Sequence, residues 1–468
     1  MSPVEPLTAV MIGAGDRGKD VYGRYALDHP SALQFLAIAE PQAARRETFA
    51  RQHGIPSERC FEQWETLLTQ PQLAKAAFVC TPDRFHEQPA LAALKGGYHV
   101  LLEKPMATSA AACRQLVATA RQQKRHLQIC HVMRYSRFFQ TVQQAIQSGL
   151  LGEIICLSQR ENVSYWHMAH SFVRGNWRNR ATSNPMILAK CCHDLDLLQW
   201  LVGARSDKIS SFGTLTHYRP ERAPAGAPPR CTDGCPVEAE CHFSAIDIYV
   251  RLRPLLHLVQ LSDRRPLAAL ARLMERYPTQ MAQLARFIPP LRQFVNYSGW
   301  PVRVMSDDFT PEGRYRALED PQNPYGRCVY HCDNDVVDHQ HVDIEFENGV
   351  TATLIMHGHS YAEGRDLRID GSAGTLIGQL YMHGQRLVLH DKRTGKSKLL
   401  LEQPFTLDED GHGGGDEGLM RSFISLLQDS GQPSMTTDAA GALESHLMAF
   451  AADRSRLEGR VVRMEELR

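Results

Sequence analysis

The sequence predicts an α/β protein. An N-terminal Rossmann unit, a doubly wound parallel sheet, should be followed by a C-terminal α/β domain on a large, open, mostly antiparallel sheet. Three observations lead there. A short apolar strand runs directly into Gly13-x-Gly15-x-x-Gly18 and then into a helical pattern. Apolar strands and amphipathic helices alternate as far as Val132. Beyond that point the strands lengthen, and one pair turns at Asn348-Gly349, a strong two-residue hairpin signal. Residues 1–132 are therefore read as a dinucleotide-binding domain and 133–468 as a substrate and oligomerisation domain.

The bulk numbers agree. A chain of 468 residues is too long for one compact core, which implies two domains. Hydrophobic residues make up 43% and charged residues 22%, ordinary for a globular protein. The 52 basic side chains balance 52 acidic ones, so no global field favours nucleic acid or a membrane surface. No apolar run reaches the roughly 18 to 20 residues that span a bilayer. The first motif starts at Gly13, leaving no room for a signal peptide, so a cytoplasmic protein is expected. Seven of the 12 cysteines (Cys60, Cys80, Cys113, Cys130, Cys156, Cys191 and Cys192) sit in apolar or mixed strand and helix patterns, as buried reduced thiols do.

The first strand is Thr8 to Ile12. Its glycines permit a tight turn and close backbone approach to a pyrophosphate, and the next helix offers free N–H groups and a partial positive charge. A second strand, "LQFLAIAE", ends at Glu40, 22 residues beyond Gly18. An acid there accepts hydrogen bonds from adenosine ribose hydroxyls and repels a 2′-phosphate, so NAD is expected rather than NADP. The strands "AAFVC", "HVLLEKP" and "LQICHV" continue the sheet, and ligands bind beyond the carboxyl ends of such strands. Asp16 and Arg17 in the loop, Thr81-Pro82 with His86, and Glu103-Lys104-Pro105 complete the expected cofactor contacts.

In "MIGAGDRG", "VCTPDRFH", "LLEKPMA", "GLLGEI" and "HDLD" the chain resembles the Gfo/Idh/MocA oxidoreductases. The resemblance implies the two-domain fold above, a nicotinamide cofactor, and oxidation or reduction of sugars, cyclitols and related polyols. It also implies a cis Lys104–Pro105 peptide that aims Lys104 at the substrate; only an X–Pro bond makes cis inexpensive.

In the second domain "EIICLSQREN" reads as a strand, "HVDIEFENGVTATLIMHG" as a hairpin, and "LRIDGSAGTLIG" and "RLVLHDKRTGKSKLLL" as further strands. The glycines of "GHGGGDEGLMRSFISLL" would let His412 or Asp416 approach the site. An insertion is expected at about 206–335. It holds Cys231-x3-Cys235-x5-Cys241 and, much later, Cys328-x3-Cys332. Thiols on tight turns suit tetrahedral zinc, with Cys231, Cys235, Cys241 and Cys328 as the candidate ligands; an iron–sulfur cluster, or five reduced cysteines in a loop, are the alternatives. The insertion also carries eight arginines between Arg251 and Arg292 against Asp263 and Glu275, read as a helical region with a solvated basic face.

The stretch "NPMILAKCCHDLDLLQWLVG" concentrates polar chemistry. Ser183 or Asn184 should cap a helix with Pro185 in its first turn. At 100° per residue Leu188, Cys191, Cys192, Leu195, Leu198 and Val202 form one stripe, while Lys190, His193 and Asp194 face the other way. The cysteines then cannot share a metal with His193. The resemblance implies an aspartate four residues before His193; Ala189 stands there instead. His193 is the candidate proton-transferring residue, because its pKa lies near working pH. Lys104 and Lys190 are candidates to bind and polarise the reacting oxygen. Tyr165, His167, Trp177 and His412 are candidates to line a carbohydrate pocket.

Three activities are compatible with these residues: an NAD-dependent dehydrogenase of a sugar, cyclitol or glycoside; an NAD-assisted glycosidase working by oxidation, elimination and reduction; and a non-catalytic regulator sensing NAD or a sugar. The expected partners are a carbohydrate-like small molecule and further copies of the chain.

Overall fold

Six short strands open the chain: β1 (Leu7–Ile12), β2 (Leu33–Ala39), β3 (Cys60–Phe61), β4 (Ala76–Val79), β5 (His99–Leu102) and β6 (Leu127–Ile129). They form one parallel sheet in the order β3-β2-β1-β4-β5-β6. Both faces are covered, which is why these strands read as continuous apolar runs. In β1, Ala9 and Met11 enter one hydrophobic cluster while Val10 and Ile12 enter the other. The computed structural model describes residues 5–262, 264–404, 412–428 and 437–468; Asp263 and Gly411 of the stretches above lie outside the described residues.

Nine further strands make the second sheet: β7 (Ile154–Ser164), β8 (Ser206–Thr214), β9 (His339–Phe346), β10 (Thr351–Ser360), β11 (Gly364–Gly371), β12 (Gly374–Tyr381), β13 (Gly384–Asp391), β14 (Ser397–Pro404) and β15 (Val462–Arg463). Their order is β14-β13-β12-β11-β7-β10-β9-β8-β15. Every pairing is antiparallel except β10 with β7. The hairpin between β9 and β10 turns at Asn348-Gly349, with Gly349 at φ +82°, where a side chain would be strained.

Residues 206–214, expected within the insertion, are instead a sheet strand paired with β9. The inserted segment is thus the connection between β8 and β9, residues 215–338. Four of its helices (Arg253–Gln260, Arg265–Arg276, Pro278–Ala285 and Pro289–Val295) pack round a small core of their own: Leu256, Ala271, Met274, Ala285, Leu291 and Val295.

A C-terminal helix, Ala439–Glu458, is capped by the Asp438 side chain on the Gly441 N–H at 2.9 Å. It fastens the two sheets together. Thr437, just before it, bonds the backbone of Ile129 in β6. Further on, the His446 ring accepts the Met106 N–H at 2.8 Å, and the Glu444 carboxylate accepts from both the backbone and hydroxyl of Ser206 in β8. No described helix is long and apolar enough to cross a membrane.

Candidate active site

The carboxyl ends of β1, β2, β4 and β5 converge, as a doubly wound sheet requires of its ligand site. Gly13 has φ +90°, and a Cβ there would stand 2.8 Å from the Cys80 carbonyl oxygen. A Cβ on Gly18 would run into the Gly13 carbonyl oxygen, whereas Gly15 faces open space. This is a cradle that side chains would fill and a phosphate backbone can enter. Beside it, the buried Glu40 carboxylate accepts the Ala14 N–H at 2.8 Å and the Gln42 N–H at 2.9 Å. Each oxygen keeps a lone pair for a ribose hydroxyl, so these residues fit a dinucleotide.

The loop side chains do something else. The Arg17 guanidinium donates to Glu103 and Asp416 at 2.6 Å each and to the Tyr22 hydroxyl at 2.9 Å. Tyr22 in turn donates to Glu103 at 2.6 Å, and Asp416 pairs with His412 at 2.8 Å. Burial alone would raise the Glu103 pKa, but Arg17 and Tyr22 hold it below the usual range. Arg17 therefore braces the EKP strand against the helix Gly415–Leu427. Asp16 is engaged from the insertion: Arg303 lies 3.2 Å from Asp16 and 3.0 Å from Asp20.

At the next strand ends, the buried His86 ring sits 2.7 Å from both the Thr81 and Pro105 carbonyl oxygens. It ties the β4 turn to the β5 turn and faces backbone on both ring nitrogens. The Lys104–Pro105 peptide is cis. Lys104 Nζ reaches across to the Ala189 carbonyl oxygen at 3.2 Å, so the chain supplies a backbone oxygen at the position where an aspartate was implied.

The stretch around His193 is not one helix. Met186–Ala189 and Cys192–Val202 are separate helices, with Lys190 and Cys191 in the turn between. The expected side-chain cap is absent, and the Asn184 amide instead donates to Asp83 at 2.8 Å. Cys191 and Cys192 are fully buried, as the stripe required. Burial pushes the Cys192 thiol up to about 12, so it is a poor nucleophile. His193, Asp194 and Asp196 are buried too, because the opposite face looks into protein rather than solvent. His193 has an Nδ1 without a partner. Its pKa is driven well below the ordinary value, first by burial, then by Lys104, His131 and His412. A neutral imidazole is the proton-accepting form.

Lys190 departs from expectation. Its ammonium is taken up by Glu161 at 3.1 Å and Glu363 at 2.8 Å. Burial opposes the charge, but these carboxylates hold its pKa above the usual lysine range. The break after Ala189 turns it away from the face it would share with His193 in an unbroken helix.

The aromatic candidates divide. The His167 ring pairs with Glu363 at 3.0 Å and packs edge-on to Trp300 of the insertion at 5.0 Å. His412 lies 6.4 Å, ring to ring, from His193. Trp177 donates its indole N–H to Asp83 at 2.9 Å, a bond between the two halves of the molecule. Tyr165 packs against His242 and Phe243 inside the insertion. The zinc expectation at Cys231, Cys235, Cys241 and Cys328 is not met by the arrangement of the side chains: among the described residues no group of three or more His, Cys, Asp or Glu stands ready to hold a metal.

Several participants went unread in the sequence. Arg365 binds Asp194 at 2.8 Å and Glu161 at 2.8 Å, and Gln159 donates to Asp194 at 2.6 Å. The β11–β7 register sets Arg365 directly opposite Glu161. Opposite charges across from each other on adjacent strands are the available signal, but it needs the register first. Asp196 is bound by both arms of Arg134 at 2.6 Å, a structural role.

The glycine cradle, the glutamate over it and a lysine just beyond β5 define a dinucleotide-binding protein of the two-domain oxidoreductase type. The model of the oxidoreductase family with an NAD-binding Rossmann fold, GFO_IDH_MocA, matches residues 7–131, and the GFO/IDH/MocA C-terminal domain matches 139–246. The chain belongs to the Gfo/Idh/MocA family. It is 29% identical over 155 residues to D-glucoside 3-dehydrogenase of Escherichia coli, covering 33% of this chain and 43% of that protein. It is 27% identical over 154 residues to 2,7-anhydro-N-acetylneuraminate hydratase of the same organism, covering 33% and 40%. The chain thus spans less than half the length of either relative. An oxidoreductase from Agrobacterium radiobacter, solved with NAD+, L-tartaric acid and magnesium, has a TM-score of 0.63 at 14% identity, covering 99% of both chains; it shares the fold.

Proposed function

We propose that this chain is an NAD-dependent oxidoreductase acting at a carbinol carbon of a sugar, cyclitol or glycoside. The observation that carries the reading is the Lys104–Ala189 contact, which brings a Rossmann strand end and the His193 segment to one place. Bound NAD supplies the hydride acceptor; the chain supplies the rest. A hydroxyl losing hydride from its carbon must also lose its proton, so a base has to reach that oxygen. His193, neutral and with a free ring nitrogen, accepts the proton. Lys104 holds the oxygen and favours its negative charge. His167 and His412 contact the substrate, with Trp177 and Tyr165 farther along the insertion side. Lys190, held by Glu161 and Glu363, orients this polar wall. Glu40 supports NAD over NADP. Twelve cysteines, none in a disulfide, and balanced charge support a cytoplasmic protein without a nucleic-acid partner.

A second reading is redox-neutral: the carbinol is oxidised, a bond is eliminated or hydrated, and the carbon is reduced again in the same turnover. The hydratase relative supports it, as does the Arg303 clasp on Asp16 and Asp20, which would slow exchange of the dinucleotide.

A panel of sugars, cyclitols and glycosides, followed at once by NADH absorbance and by released aglycone, separates the two. NADH accumulation on a sugar-like alcohol is the expected result. Aglycone release without NADH selects the second reading, and neither signal across the panel overturns the enzymatic proposal.

A further inference from the structure

The helices of the insertion concentrate positive charge. Between residues 264 and 295 stand six arginines and one acid, Glu275, in a chain whose 52 basic and 52 acidic side chains balance. Glu275 is already engaged, by His257 at 2.8 Å and by Gln260 at 2.7 Å. Arg265, Arg272, Arg276, Arg286 and Arg292 are exposed, and among the described residues no carboxylate pairs with them. At 100° per residue Arg265, Arg272 and Arg276 share one stripe of the helix Arg265–Arg276. That stripe is turned away from Ala271 and Met274, which enter the insertion's own core.

Apolar side chains are exposed among these arginines. Leu273 adjoins the stripe, and Tyr277 follows the same helix, with the Arg276 guanidinium 5.5 Å from its ring centroid. Leu284, Phe287 and Ile288 come next. Residues 286–290, Arg-Phe-Ile-Pro-Pro, are exposed without a break where Pro278–Ala285 turns into Pro289–Val295. Phe287 is 85% exposed, more than any other large apolar side chain among the described residues. Single exposed apolar side chains are ordinary, but five within residues 273–288, interleaved with arginine, mark an interaction surface.

We propose that this face of the insertion docks the protein on the surface of a bilayer that contains anionic phospholipids. The guanidinium groups take the lipid phosphates through paired N–H donors. Leu284, Phe287 and Ile288 enter the boundary between headgroups and acyl chains. Charge and apolarity together select this occupant. A second copy seated on the same face by two-fold symmetry brings arginine against arginine. A nucleic acid offers phosphate, but its charged backbone has no apolar layer to receive Phe287 and Ile288. The protein lies on the bilayer rather than through it, since no described helix is long and apolar enough to cross. The four helices pack round a core of their own, so the face can bind without disturbing the glycine cradle.

The test is co-sedimentation of the full chain with vesicles of phosphatidylcholine alone and of phosphatidylcholine mixed with phosphatidylglycerol. The expected result is binding to the mixed vesicles, binding to the neutral ones weaker by about tenfold or more, and release as salt is raised. Arg272→Ala combined with Arg276→Ala should lower the partition onto mixed vesicles by about tenfold, and Phe287→Ser by about fivefold. A folded chain that stays in the supernatant with mixed vesicles overturns the proposal, as does equal binding to both vesicle types. Binding of duplex RNA without vesicle binding overturns it too. So does a Phe287→Ser protein whose oligomeric mass changes while its vesicle binding stays at the wild-type level. The wild-type comparison of the two vesicle types decides where a variant fails to fold.

Discussion

Lys104 Nζ lies 3.2 Å from the carbonyl oxygen of Ala189. This bond crosses from the end of a Rossmann strand to the turn that precedes His193. It puts a neutral acceptor at the position where the resemblance implied a carboxylate, so at this contact the lysine meets a carbonyl rather than an acid.

The imidazole of His131, just beyond β6, is buried with no hydrogen bond on either nitrogen; Asp196 stands 4.0 Å away and opposes the shift, yet burial takes the pKa down to about 3. The unfolded chain binds a proton at this residue near pH 6.5 and the folded chain does not until about pH 3. Stability is therefore intact above 6.5 and falls as pH drops through that window, by up to about 1.4 kcal/mol per unit from this group. Urea unfolding at pH 7 and pH 5 should show a shallower pH slope for His131→Leu than for the wild type. Equal slopes would mean that His131 titrates normally in the fold.

Cys191→Ser and Cys192→Ser bury a hydroxyl in an apolar setting and should cost about 1–3 kcal/mol of stability each. Turnover per folded molecule should stay near the wild-type value, read by comparing denaturation midpoints with rates. Loss of turnover at unchanged stability would place a thiol in the chemistry.

How far the sequence was legible follows from range. The strand–glycine–helix order of β1 is local, so Gly13, Gly15, Gly18 and Glu40 could be read directly. The same holds for the Asn348-Gly349 hairpin and the buried stripe of cysteines. Lys190 was set on one helical face with His193 by carrying an unbroken 100° rotation through a turn that lies at that very residue. Glu363 and Arg365 lie about 170 residues beyond Lys190; Glu363 pairs with Lys190 itself, whereas Arg365 reaches the Glu161 carboxylate that Lys190 also binds, through the β7–β11 pairing. The Ala189 acceptor is a backbone carbonyl, which leaves no mark in a side-chain pattern.

Glu40→Ala removes the acceptor of the Ala14 and Gln42 N–H groups and the expected ribose contact. Calorimetry should find wild-type NAD binding tighter than NADP, and the variant weaker for NAD by about tenfold with the preference eroded. Tighter NADP binding by the wild type would overturn the assignment of Glu40.

Arg303→Ala opens the clasp over the dinucleotide loop. Its two ion pairs are partly solvated, so together they should contribute about 1 kcal/mol, and NAD dissociation in stopped flow should quicken about fivefold. An unchanged rate would show that the insertion does not hold the cofactor.

The most direct measurement is turnover of His193→Ala and Lys104→Ala on the best substrate from the panel, with NAD affinity measured on the same preparations. Each variant should lose about a hundredfold or more in kcat, the scale of a positioned proton-transfer group, while NAD affinity stays within about a factor of two of wild type, since neither side chain touches the glycine cradle. Near-normal turnover by a folded His193→Ala protein would contradict the claim that His193 and Lys104 meet on one substrate hydroxyl.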